Sequence, residues 1–269
     1  MNLFFWNLKQ NDNSSLIARA LRELDVDVAA FAECGGVNFE ALCCDGLNGL
    51  YKLVDPVDGP GKVRLLVRRD FVFSGVLGYG RYLITTISND EMATNIAVVH
   101  LQDRRNDPEG EARRLEMQSL VSDLRSQERD QGCLASIVLG DFNTQPFEME
   151  MISPGNLNAT LFKDVAIRMR SRRVSGRDYP FMYNPTLEFL SEANDNCGSY
   201  YSAAGPATFY WYCLDQAVFS PLLADKVAEY RYLRQIGDVT LMKDVAPNGE
   251  ISDHLPLFVR IDWSMGNER

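Results

Sequence analysis

Long apolar runs, histidine and net positive charge are all scarce in this chain. The cluster Leu3-Phe4-Phe5-Trp6 is ended at once by Asn7 and Lys9, and no other run approaches membrane-spanning length. That excludes a transmembrane helix and leaves no room for a signal-peptide core. With 27 basic against 37 acidic residues, the formal charge is −10. A protein that coats nucleic acid by bulk electrostatics is thereby excluded, but an enzyme that meets a few phosphates through a bound cation is not. The six cysteines have neither metal-type nor framework spacing, and Cys43 and Cys44 are adjacent. They read as reduced thiols of a cytoplasmic protein. No repeat, low-complexity linker or compositional boundary appears, so residues 1–269 are expected to form a single domain. A hydrophobic fraction of 46% supplies a core that needs no covalent staples.

What is present is organised around Ser136 to Glu148, S-I-V-L-G-D-F-N-T-Q-P-F-E. Ile137, Val138 and Leu139 make a short buried strand, and Gly140 breaks the run just before Asp141 and Asn143. In an extended backbone residues two apart share a face, so this carboxylate and amide are expected to project together. An Asx-turn closing the strand would leave the same pattern without any function.

The rest of the chain repeats the arrangement. Leu3 to Leu8 reads as a buried strand with Asn7 near its end. A helix follows, capped by Asn13 or Ser14, with Leu16, Ile17, Ala20, Leu21 and Leu24 on one face. Val28 to Ala32 then forms a second buried strand ending in Glu33. Strand, crossover helix and strand of these lengths imply parallel neighbours, with Asn7 and Glu33 at one sheet edge. From Gly49 to Leu101 the sequence is strand-rich: Val63 to Arg69, Phe71 to Val76, Tyr82 to Ser88 and Ala93 to Leu101, with Ser88-Asn89-Asp90-Glu91 as a hairpin turn. His100 closes the last of these. Asp107-Pro108 starts a long helix whose apolar positions include Leu115, Leu120, Val121 and Leu124. Arg168, Arg170, Arg172, Arg173 and Arg177 crowd into ten residues, either a phosphate-contacting loop or a solvated one. Ala207 to Ser220 reads as an aromatic-rich strand pair interrupted by Asp215, a carboxylate that needs a buried partner. Ile251-Ser252-Asp253-His254 precedes the closing strand, Leu257 to Trp263.

Both histidines of the chain thus stand at strand-end motifs. The order Asn7, Glu33, His100, Gly140-Asp141-Phe142-Asn143, Asp215, Ser252-Asp253-His254 resembles the endonuclease/exonuclease/phosphatase superfamily. DNase I-like nucleases, exonuclease III-like repair enzymes, neutral sphingomyelinases and inositol polyphosphate 5-phosphatases belong to it. The resemblance spans almost the whole chain. It implies a four-layer α/β/β/α sandwich, two mixed β-sheets flanked by helices, with the site at one edge. It also implies that Glu33 ligates Mg²⁺ or Mn²⁺, that Asn7 holds the metal's surroundings, and that Asp253 adds to the metal side or a second site. Asp215 is expected to orient His254, and Asp141 to orient or deprotonate the attacking water. Asn143 would donate to a phosphate oxygen, and His100 would bind the phosphate or assist the leaving oxygen.

The implied reaction is hydrolysis of a phosphoester by in-line attack, without a covalent enzyme intermediate. Repair-type relatives carry Gln-Glu-Thr-Lys and a Trp-Arg pair where this chain has Ala32-Glu33-Cys34-Gly35 and Tyr210-Trp211-Tyr212-Cys213. That departure argues against an abasic-site endonuclease. Nucleic acid, DNA first, is the expected substrate, with Arg168, Arg170, Arg172 and Arg173 as phosphate contacts. The alternative is a phosphatase or phosphodiesterase acting on a small molecule or lipid headgroup. A binding scaffold of the same fold without catalysis is a third reading. No membrane partner is expected.

Overall fold

The computed structural model describes residues 1–56, 61–192 and 195–263. Its first apolar run forms β1 (Asn2–Asn7), α1 (Ser14–Glu23) crosses over, and β2 (Val28–Ala32) returns parallel to β1 with Ala32 opposite Asn7. β3 (Tyr51–Val54) and β4 (Val63–Arg68) extend this sheet antiparallel. β5 (Val72–Tyr79), β6 (Tyr82–Ser88) and β7 (Ala93–His100) then run as a meander. Asn89 closes its second turn, the Oδ1 accepting from the N–H groups of Glu91 and Met92. α2 (Glu111–Gln131) leads to β8 (Ser136–Asp141), which lies parallel to β7. β9 (Asp215–Phe219) pairs antiparallel with β8, while β10 (Val227–Tyr232) and β11 (Leu257–Ile261) return to the edge of β1.

Two mixed sheets result. One has six strands in the order β10-β11-β1-β2-β4-β3, and the other has seven, β5-β6-β7-β8-β9 followed by Met182–Tyr183 and Ala159–Thr160. Strand alternation puts one side chain in two on each face. Ile96, Val98, Ile137, Leu139, Ala217 and Phe219 join Phe4, Phe31 and Leu65 of the first sheet in the principal core. The residues between them, Ala97, Val99, Val138 and Val218, instead pack with Met117, Leu120 and Leu124 of α2. Burial on both faces is why these strands read as unbroken apolar runs. No helix among the described residues is long and apolar enough to cross a membrane.

Several local expectations change. α2 begins at Glu111, because Asp107-Pro108 forms a turn ahead of it, and Leu115 is 60% exposed and faces away from the sheet. Asn13 makes no side-chain cap; its amide donates to the Ile251 carbonyl, and Asp12 accepts from Ser14 instead. The residues 207–220 do not pair with one another. Tyr210–Tyr212 pairs with Tyr200–Ser202, while Asp215 opens β9 in the large sheet. The closing strand stops at Ile261.

Candidate active site

The register of the second sheet sets His100 opposite Asp141 and Asp141 opposite Asp215, so three adjacent strands offer their functional residues in one row. Parity carries the row inward. His100 continues the face of Ile96 and Val98, Asp141 that of Ile137 and Leu139, and Asp215 that of Ala217 and Phe219. Gly140 allows the close approach: its φ is 151°, and a Cβ there would fall on the Val99 carbonyl oxygen of β7.

The first sheet meets this row from across the core. Asn7, at the end of β1, donates from Nδ2 to Asp141 Oδ2 at 3.0 Å and to Glu33 Oε1 at 3.2 Å. Glu33 follows β2 with a left-handed φ of 48°. Ser252 accepts the His254 N–H at 3.1 Å and donates to the Asn7 carbonyl at 2.7 Å, and Trp6 Nε1 donates to the His254 carbonyl at 3.0 Å. The His254 ring is thereby fixed over Asp215, Nδ1 lying 2.7 Å from Asp215 Oδ2. His100 Nε2 stands 3.6 Å from Glu33 Oε1 and 3.8 Å from Asp141 Oδ2, beyond hydrogen-bond length.

Burial pushes the Asp141 carboxyl up, the charge of Asp215 adds to this, and the group reaches about 6 despite the two imidazoles. Burial by itself would lower His254. The carboxylate of Asp215, with Asp141 and Asp253 behind it, outweighs burial and raises the ring to about 10, so it is cationic at neutral pH. His100 goes the other way, because burial outweighs the nearby Asp141 and keeps it neutral.

Glu33, His100, Asp141 and His254 line a cleft of about 1100 Å³, with Asn7 and Asp215 set behind its wall. Glu33 is partly exposed there, and its carboxylate converges with that of Asp141 on the Asn7 amide. Hard oxygen donors facing a polar, roomy cleft fit a small divalent cation that keeps several waters. Ligand atoms of Asp141, Asp215 and His254 also lie within 4.8 Å of one another. In that trio Nδ1 is committed to Asp215 and the ring is charged, which opposes a cation, so the Glu33 side is the better fit. Asp253 lies on the same cleft, 3.9 Å from Lys9 Nζ.

Asn143 reaches the cleft by a different route from the one strand alternation predicts. β8 ends at Asp141, and Asn143 has a left-handed φ of 51°. Its backbone N–H donates to Asp141 Oδ1 at 2.9 Å and its Nδ2 to the Leu101 carbonyl at 3.0 Å. The structure sets the arginine cluster apart from the cleft: none of Arg168, Arg170, Arg172 and Arg173 lines it. Ser171–Val174 and Arg177–Pro180 form a separate hairpin. Arg168 pairs with Asp164, Arg173 with Asp178, and Arg172 lies over the Phe181 ring. The cations that do line the cleft are Lys9, Lys62, Arg64, Arg81, Arg104 and Arg105. Apart from the adjacent Arg104 and Arg105 and the near pair Lys62 and Arg64, they come from separate stretches, so no long run of like charge marks them in the sequence. Their common signal is position in or beside the loops that flank strand ends, where Tyr200 and Tyr212 of the aromatic hairpin join them.

Two mixed sheets packed face to face, with carboxylates and imidazoles gathered at their common rim, define a phosphoester hydrolase of the DNase I-like fold. A family model described as the Endonuclease/Exonuclease/phosphatase family matches residues 4–254, and the chain belongs to that family. Among solved structures it is similar to truncated TDP2 of Caenorhabditis elegans, with a TM-score of 0.61, 16% identity and 97% of each chain covered. The endonuclease domain of TRAS1, a telomere-specific non-LTR retrotransposon, gives 0.58 at 11% identity over 99% of each chain. ANGEL2, a 2′,3′-cyclic phosphatase, gives 0.58 at 14% identity over 96% of this chain and 93% of the other. At such identities the likeness is one of fold. Comparison with curated protein sequences gave no match.

Proposed function

We propose that this hydrolase is a Mg²⁺- or Mn²⁺-dependent phosphodiesterase that cuts nucleic acid, DNA before RNA, with residues 1–269 acting as one cytoplasmic catalytic unit. The observation that carries the reading is the row His100, Asp141, Asp215, completed by His254 and Glu33 at the floor of a cleft whose lining is basic in a protein of charge −10. The endonuclease among its structural neighbours favours nucleic acid. The six free cysteines favour a reducing compartment.

Glu33, its carboxylate oriented by Asn7 and supported by Asp253, would hold the cation, which when bound supplies positive charge against the phosphoryl oxygens and the leaving oxygen. Asp141 takes the proton of the attacking water: a carboxyl near 6 is ionised at neutral pH yet more basic than an ordinary carboxylate. The protonated His254 donates from Nε2 to a phosphoryl oxygen, because its Nδ1 is held by Asp215. The second N–H of the Asn143 amide is available to another phosphoryl oxygen, and the neutral His100 stands by the leaving oxygen. A phosphatase or phosphodiesterase acting on a small phosphoester is the second reading, favoured by the cyclic phosphatase among the neighbours.

The test presents supercoiled plasmid, single-stranded DNA, RNA and a soluble phosphomonoester, each with Mg²⁺ or Mn²⁺. Nicking of the plasmid supports the first reading, and phosphate release from the monoester alone replaces it with the second. Full activity in excess EDTA removes the metal. Asp141→Asn and His254→Ala are each expected to lower kcat by about 10²- to 10⁴-fold. Wild-type rates in both would remove the site.

A further inference from the structure

The aromatic hairpin on the cleft rim exposes large rings to water without serving the core. Phe209 is 73% exposed and Tyr210 is 52% exposed. Exposed loop tips usually carry small polar residues that move freely, but this one is pinned. Thr208 Oγ1 donates to the Ser202 carbonyl at 2.8 Å and accepts the Tyr210 N–H at 3.1 Å. The Tyr212 hydroxyl lies 3.1 Å from Thr208 Oγ1 and accepts from the Phe209 N–H at 3.4 Å. Tyr210 itself has a φ of 64°, and the Trp211 N–H bonds back to the Phe209 carbonyl at 2.8 Å across it. A three-residue turn of this hand is rare and strained, and for a bulky aromatic residue the strain is real. Strain held at the mouth of a cleft is a pointer to function.

The rings form a continuous surface into the site. Phe209 meets Tyr212 at 6.2 Å between centroids, Tyr212 meets Tyr200 at 6.4 Å, and Tyr200 lies 5.0 Å from the His254 ring. On the outer side Tyr210 contacts Tyr201 at 6.0 Å. Tyr200 and Tyr212 share the cleft lining with Lys62, Arg64 and Arg105. Flat rings held rigid beside cationic groups suit a ligand that carries planar apolar faces on a polyanionic backbone, and the faces must be free to stack. In a duplex they are already occupied by neighbouring bases.

From this we infer that Phe209 and Tyr210 are a stacking platform for unpaired bases, so that the strand entering the cleft is single-stranded next to the cut. The inference rests on the nucleic-acid reading above and narrows its substrate. The test uses the full chain with Mg²⁺ and two oligomers of equal length and equal phosphate number: an oligothymidylate and a tetrahydrofuran-linked backbone that has no bases. KM and kcat are measured for wild type, Phe209→Ala and Tyr210→Gly, with melting temperatures alongside. Each variant should raise KM for the oligothymidylate roughly tenfold while kcat holds. On the baseless oligomer both variants should match wild type. Tyr210→Gly, freed of its left-handed strain, should melt no lower than wild type, so that a weaker affinity is not a failure to fold. Wild-type KM for the oligothymidylate in both variants overturns the platform and leaves the nuclease reading standing, as does an equal rise in KM on both oligomers. A wild-type protein that nicks supercoiled plasmid but cuts neither oligomer overturns the platform alone, and one that cuts neither the plasmid nor the oligomers overturns the nuclease reading with it.

Discussion

At position 140 the backbone needs a residue without a Cβ, because β7 passes within touching distance of where that carbon would sit. Gly140→Ala is therefore expected to cost about 1 to 3 kcal/mol by overpacking. It should also separate His100 from Asp141, so that kcat falls even where urea titration shows the variant fully folded. In the proposed mechanism Asp215 acts one step further from the chemistry. Its Oδ2 holds His254 Nδ1, and its charge is what keeps that ring protonated against burial. Asp215→Asn keeps the shape and removes the charge. We expect kcat to drop by about 10²-fold or more, with KM changed far less, since the weakened donor acts on charge that builds up in the transition state.

Among the elements, α2 depends on a residue outside it. Asp107 accepts the N–H of Ala112 at 3.2 Å through Oδ1 and that of Arg113 at 2.9 Å through Oδ2, two of the four donors a helix start leaves unpaired. Gly110, the residue just before the helix, has no side chain to do this. Asp107→Ala should cost about 1 to 2 kcal/mol in a denaturant titration. Burial alone would raise the Asp107 carboxyl, but the N–H donors of Arg113 and Ala112 and the Arg113 charge lower it below the usual value. A lowered folded pKa means stability that is present above the unfolded value near 3.9 and is lost as pH falls through the folded value. The gap between wild type and Asp107→Ala is thus constant from about pH 5 to 7 and closes progressively below about pH 4. An undiminished gap at about pH 2 would mean that the carboxylate is not the cap.

For the whole molecule, charge is distributed against its own average. The chain carries −10, yet Lys62 and Arg105 stand at the cleft, the Arg105 side chain 93% exposed. Replacing both with Gln should weaken oligonucleotide binding and flatten its dependence on log salt by about one unit for each phosphate that is no longer neutralised. Replacing Arg168 and Arg173 with Gln should leave the slope unchanged, because these two pair locally away from the cleft. A slope that moves with the second pair would return the phosphate track to the arginine hairpin. Mn²⁺ or Mg²⁺ should raise the melting temperature, as any ligand specific to the folded state does, and EDTA should reverse the rise. Glu33→Gln should abolish most of that shift.

Local rules sufficed where the physics is local. Alternating apolar runs and their breakers showed β1, α1, β2, β7 and β8, and showed that Asn7, Glu33, His100 and Asp141 stand at strand ends. Strand parity then fixes which way each side chain points. What no local rule contains is register, the choice of which residue of one strand faces which residue of another. That choice follows from packing Ile137, Phe219 and Phe4, residues far apart in the chain, into one core. It alone made His100, Asp141 and Asp215 a row. Packing likewise left the crowded arginines outside the cleft and gathered the scattered Lys62, Arg64 and Arg105 into it, because charge in sequence is linear and charge in a cleft is a matter of which loops the core brings together.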